Sequence, residues 1–110
     1  MDRIDNLLDI ARRVSMGEIP PYQHNELYTA GAFDGLIVHV RDGEALKLIT
    51  ELCARFSSER LRADDMRGYY QLLTQLARQS NTTEMPPGMA DIIASEPNLS
   101  RGLSTWYRAA

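Results

Sequence analysis

The sequence holds a single cysteine, Cys53, which excludes an intrachain disulfide and any multi-cysteine metal centre. A chain without disulfides fits a reducing compartment, and a cytoplasmic location is expected. Long apolar runs are missing as well. The longest run of large aliphatic residues is Leu36-Ile37-Val38, far short of the roughly 20 apolar residues that a membrane-spanning helix needs. The opening segment MDRIDNLLDIARRV carries acidic residues and has no continuous apolar stretch, unlike a secretory signal. A soluble, unexported protein with no membrane partner is the expectation.

A basic surplus is also lacking. The formal net charge is −3 at pH 7 and the isoelectric point is about 5.3. Residues 1–55 carry six basic and nine acidic groups and residues 56–110 carry six of each, so neither half is a basic arm. That balance argues against a general nucleic-acid binder. Lysine is nearly absent, since eleven of the 12 basic residues are arginine. Arginine suits carboxylate pairing and protein interfaces, although the composition of the source genome also accounts for it. The seven glycines are scattered and never form GxGxxG or GxxxxGK[ST], so no phosphate-cradling loop is present and no cofactor is implied.

What is present is a globular composition, 44% hydrophobic and 25% charged, in a length typical of one domain spanning residues 1–110. Three amphipathic stripes predict helices. In residues 3–16, Ile4, Leu7, Leu8, Ala11 and Val14 recur at helical spacing. Asp2 is placed to cap that helix, Arg12 and Arg13 suit its C-terminal end, and Gly17 with Pro20-Pro21 should stop it. In residues 43–57, the stripe is Ala45, Leu46, Ile49, Leu52, Cys53 and Phe56. In residues 63–79 it is Met66, Tyr69, Tyr70, Leu73, Leu76 and Ala77. Gly68 inside this last helix costs about 1 kcal/mol relative to alanine, and is either tolerated or lets a neighbouring helix come close.

Ile19-Pro20-Pro21-Tyr22 reads as an extended connector, and Asn25–Phe33 as a short helix. Two readings stand for Leu36–Val40, which lies between two Asp-Gly turn signals. Its composition suits a strand, yet Phe33, Leu36, Ile37 and Val40 also fit helical spacing. A lone strand would leave its ladder groups unpaired, which favours helix unless the segment pairs with its copy in a homodimer. Residues 81–88 form a turn-rich loop, and two short helices follow, Met89–Ala94 and one carrying Leu99, Leu103, Trp106 and Tyr107. The fold class expected is a mainly α, compact bundle of four to six helices.

Chemical constellations are sparse. Cys53 with His24 or His39 as base would make a nucleophile, but Cys53 sits on an apolar stripe, where a thiol behaves as a small hydrophobe. The histidines are 15 residues apart without a third ligand at a metal-binding spacing. Asp34 and Asp42 flank His39 as loop carboxylates, while Asp2, Asp5, Asp9 and the Asp64-Asp65 pair sit where helix capping explains them. Arg55, Arg60, Arg62 and Arg67 could form a DNA-binding corner at residues 55–67, but Glu59, Asp64 and Asp65 reduce it to a net charge of +1. Trp106-Tyr107-Arg108 combines residue types enriched at interface hot spots.

With no catalytic, metal or cofactor constellation, the expectation is a non-enzymatic protein-binding module, an adaptor, chaperone or inhibitor. Its partner is another protein or a second copy of the chain, and its contact residues are Trp106, Tyr107, Arg108, Arg60 and Arg62. Phage anti-defence proteins and bacterial immunity proteins share this size and acidity, a comparison of class rather than of motif. The alternatives are a DNA-binding regulator using residues 55–67, and an enzyme with an unfamiliar site.

Overall fold

The first helix, α1 (Arg3–Ser15), starts where Asp2 takes an extended backbone and its carboxylate accepts the Asp5 N–H at 2.9 Å. Ile4, Leu7, Ala11 and Val14 are buried along one face, as their spacing predicts, and Leu8 is half-buried beside them. The helix ends as expected, because Gly17 turns left-handed at φ +80°. This is a computed structural model, and it describes residues 2–20, 22–24, 29–58 and 63–108.

The chain then departs from its expected path. Instead of a short helix over Asn25–Phe33, residues Tyr22–His24 (β1) and Thr29–Gly31 (β2) pair antiparallel, with Tyr22 opposite Gly31. Asn25, Glu26, Leu27 and Tyr28 lie outside the described residues. The proline pair that precedes β1 favours extended backbone, and the second strand lies within the same chain, so the ladder needs no other copy. Asp34 then accepts the Gly31 N–H at 2.8 Å and starts a single helical turn, α2 (Asp34–Ile37). Of the two readings of Leu36–Val40, the helical one holds. Ile37 and Val40 are buried, Leu36 is half-buried and Val38 is exposed, the pattern of a turning chain rather than an alternating strand.

Helix α3 (Asp42–Ser58) buries Ala45, Leu48, Ile49, Leu52 and Cys53. Leu48 therefore takes the core position assigned to Leu46, which is half-buried. Helix α4 (Ala63–Gln79) is the centre of the fold and contacts α1, α3 and the C-terminal helix. All of Met66, Tyr69, Tyr70, Leu73, Leu76 and Ala77 are buried as predicted, and Leu72 joins them. Its adjacent tyrosines tie two neighbours. Tyr69 donates to the Leu52 carbonyl of α3 at 2.6 Å, and Tyr70 to the Ile92 carbonyl of α5 (Met89–Ser95). The last helix, α6 (Arg101–Arg108), buries Leu103 and Tyr107 against α4. The described residues thus form a mainly α domain of six helices with one small ladder, built on one connected apolar core. No described helix is long and apolar enough to cross a membrane.

The closest helix pair is α1 with α4. A Cβ on Gly68 would lie 2.0 Å from the Ala11 carbonyl oxygen, so only glycine lets the two backbones meet. Ser15 completes the contact, donating to the Ala11 carbonyl at 2.9 Å and accepting the Gly68 N–H at 2.7 Å.

Candidate functional site

Among the described residues, those singled out in the sequence do not converge on one site. Tyr107 is buried, 7% exposed, and no described group bonds its hydroxyl. Loss of water around that hydroxyl pushes its pKa up to about 12. Trp106 is half-buried, and its indole N–H donates to the Thr82 carbonyl at 2.7 Å. Arg108 ends α6, and its side chain lies outside the described residues. Arg60 and Arg62 lie outside them altogether. In the same corner Arg55 pairs with Asp5 at 3.3 Å, while Arg67 is exposed. Cys53 is 1% exposed, and desolvation raises its thiol pKa to about 11, the state of an inert thiol rather than a nucleophile. His39 is exposed, and the side chain of His24 lies outside the described residues. No three His, Cys, Asp or Glu side chains among the described residues are grouped to hold a metal.

What Trp106 does hold is the loop from Asn81 to Gly88. Asn81 leaves α4 in a left-handed conformation and donates to the Asp42 carboxylate at 2.9 Å. Beyond the Trp106 bond to Thr82, the Glu84 N–H donates to Thr82 Oγ1 at 3.2 Å, and Pro86 is buried. Gly88, at φ +85°, redirects the chain into α5 against Cys53. Between these anchors Met85 remains 45% exposed, with Glu84 exposed beside it. The segment is irregular in conformation yet tied at both ends and in the middle.

A second feature lies along α4. An open cleft of about 430 Å³ separates its C-terminal half from the end of β2, the start of α2 and the start of α6. Gln71, Gln75 and Gln79 line it at intervals of four residues, with Asp34 facing them. Gln75 Nε2 donates to Asp34 Oδ1 at 2.9 Å and to Gln79 Oε1 at 3.2 Å. Gln79 Nε2 donates to the Ile37 and Val40 carbonyls, each at 2.7 Å, which fixes the turn after α2. Exposed Arg78 borders the same cleft, and Gly31 and Gly102 keep two of its walls low. Sequence reading passed over this arrangement. The spacing of the three glutamines was visible as one solvated face of a helix, but Asp34 comes from 41 residues away from Gln75.

No protein-family model, curated protein or solved structure matches the chain with significance.

Proposed function

We propose that the chain is a small, non-enzymatic protein-binding module, an adaptor, chaperone or inhibitor that occupies a partner's surface with the loop at residues 81–88. The observation that carries this reading is the bracing of that loop. Loops carry binding functions when a rigid scaffold positions them, and a loop already ordered loses less entropy on docking. Trp106 supplies part of the order from below, so its role in binding is to support Met85 rather than to touch the partner. Methionine is a fitting contact residue because its flexible thioether adapts to irregular apolar surfaces. The setting is taken to be the cytoplasm, which cell fractionation would check.

A photo-crosslinking residue placed at Met85, with one at exposed Lys47 as control, tests the proposal in cells of the native host. One protein should be captured from position 85 and not from position 47, and Met85→Asp should abolish its co-purification without altering the helical spectrum. Capture of a second copy identifies the partner as the chain itself, and sedimentation over a dilution series would then show a dimer. Equal capture from both positions removes the reading.

A further inference from the structure

The two ends of α6 are held in different ways. At its start Ser100 is fully buried, and its hydroxyl hydrogen is shared between the Ile93 carbonyl at 3.1 Å and the Pro97 carbonyl at 3.3 Å. Leu103, just inside the helix, is fully buried as well. The start of α6 is therefore pinned to α5 and to the turn that follows it.

The far end carries a group that opposes docking. Tyr107 is buried, and no described group bonds its hydroxyl. A buried hydroxyl without a partner keeps the full cost of losing its water, and that cost vanishes when solvent returns. The bond from the Trp106 indole N–H to the Thr82 carbonyl offsets little, because both groups bond water when they part. Helix propensity does not hold the end in place either. Eight residues are too few for a helix that stands alone, so α6 persists only where it is packed. The ends of a chain are also where local opening concentrates.

Trp106 and Tyr107 are adjacent, so a turn that unwinds at one carries the other with it. Two consequences follow. The loop at residues 81–88 loses its brace at Thr82. Cys53 loses its cover, since Gly88 at the end of that loop lies against it. Tyr107 is the thiol's other neighbour. Burial first, and the Cys53 thiol after it, raise the pKa of the Tyr107 hydroxyl.

We propose that the last turn of α6 is a latch, which opens at Tyr107 while Ser100 stays pinned, and which releases the loop at residues 81–88 and bares Cys53 in one step. The unpartnered hydroxyl sets how often it opens. The bearing of the latch on a partner rests on the reading of that loop as the contact surface. The latch itself does not, and failure of crosslinking at Met85 would leave it standing.

Hydrogen exchange of the full chain, read by NMR beside the reaction of Cys53 with a small aromatic disulfide, tests this without a partner. The Trp106 indole N–H and the Cys53 thiol should open with one equilibrium constant, and far more often than the Leu73 amide in the middle of α4. Tyr107→Phe keeps the ring and deletes the hydroxyl, and it should make both openings about fivefold rarer or more. Trp106→Phe keeps a ring and deletes the donor. It should quicken exchange at the Glu84 N–H, which bonds Thr82 and not Trp106, about fivefold. Opening that is unchanged or more frequent in Tyr107→Phe would overturn the proposal. So would an indole that exchanges no faster than Leu73, or a Glu84 N–H indifferent to Trp106→Phe.

Discussion

Gly68 and Gln75 lie on one face of α4, seven residues apart and so nearly in line along a helix of 3.6 residues per turn. At Gly68 the face is closed. The α1 backbone comes in until a single carbon would collide with the Ala11 carbonyl. At Gln75 the face is open, and the neighbouring turn at Asp34–Val40 is held off by amide arms. The difference lies in side-chain length and bonding capacity. Glycine brings no atoms between the helices and lets dispersion contacts and the Ser15 bridge fill the interface. Glutamine sets its neighbours a side chain's length away and fixes them by hydrogen bonds, so a cleft remains.

The sharpest way to break this contrast is Gly68→Ala. Its Cβ would meet backbone rather than a movable side chain, so α1 or α4 must shift. Overpacking usually costs about 1–3 kcal/mol, and a backbone collision puts this case at about 3 kcal/mol or more despite the gain in helix propensity. Urea denaturation of the variant measures it. A loss below about 1 kcal/mol would mean that the two helices are not held as closely as described.

The closed part of the fold should also be the source of alkaline sensitivity. Burial raises the Cys53 pKa from 9.0 to about 11, and raises Tyr70 and Tyr107 from 10.0 to about 12. The unfolded chain releases these protons at lower pH than the folded one. The contribution is therefore complete below pH 9 and is lost as pH rises, through about 11 for the thiol and about 12 for the two hydroxyls. The thiol alone accounts for a loss of up to about 3 kcal/mol. Thermal melts from pH 8 to 11 should show a falling midpoint, less steep in Cys53→Ala. An unchanged midpoint across that range would contradict the desolvated core.

At the open end the effects are smaller and local. Gln79→Ala removes two hydrogen bonds that tie the turn to α4, at a cost of about 1–3 kcal/mol, while the Ile37 carbonyl keeps the Val40 N–H and the Val40 carbonyl keeps the Arg41 guanidinium. Hydrogen exchange should quicken in α2 and the turn after it, while protection in the middle of α4 stays. Uniform loss of protection would show that the cleft and the core are one cooperative unit.

This division also explains what could be read in advance. The three long helices and the cap at Asp2 were legible because apolar period and local capping chemistry are written within a few residues. The turn at Leu36–Val40 was legible as the favoured of two readings, since so short a segment suits both periods and a contact from Gln79 fixes the turn. The β1–β2 ladder was missed because three-residue strands carry almost no periodic signal. The cleft could not be read at all. Asp34 looked like a loop carboxylate beside His39, and only the fold brings it to Gln75. Trp106 was marked for its residue type alone, and the Thr82 carbonyl that its indole N–H meets is a main-chain group that no side-chain pattern announces.

Gly102→Ala is the smallest of the expected effects and the most direct control for Gly68→Ala. Both replace a helical glycine with alanine at a contact of α4, Gly68 within that helix and Gly102 in α6 beside it, but the atoms met are different. At Gly102 the new carbon would lie 2.9 Å from Thr74 Cγ2, a methyl group, and 3.4 Å from Thr74 Oγ1. Thr74 is held by its own bond to the Tyr70 carbonyl at 2.8 Å, so its methyl yields by a small shift of α6 rather than by free rotation. Alanine meanwhile recovers up to about 1 kcal/mol of helix propensity, less at this early position in α6. The two terms nearly cancel, and the net change should stay within about 1 kcal/mol of zero. Because Gly102 borders the cleft, the substitution raises one wall without touching Asp34 or Gln75. Paired urea titrations of the two variants decide the matter. A Gly102→Ala loss matching that of Gly68→Ala would mean that the cleft wall is packed as tightly as the helix crossing, and the contrast between the two ends of α4 would fail.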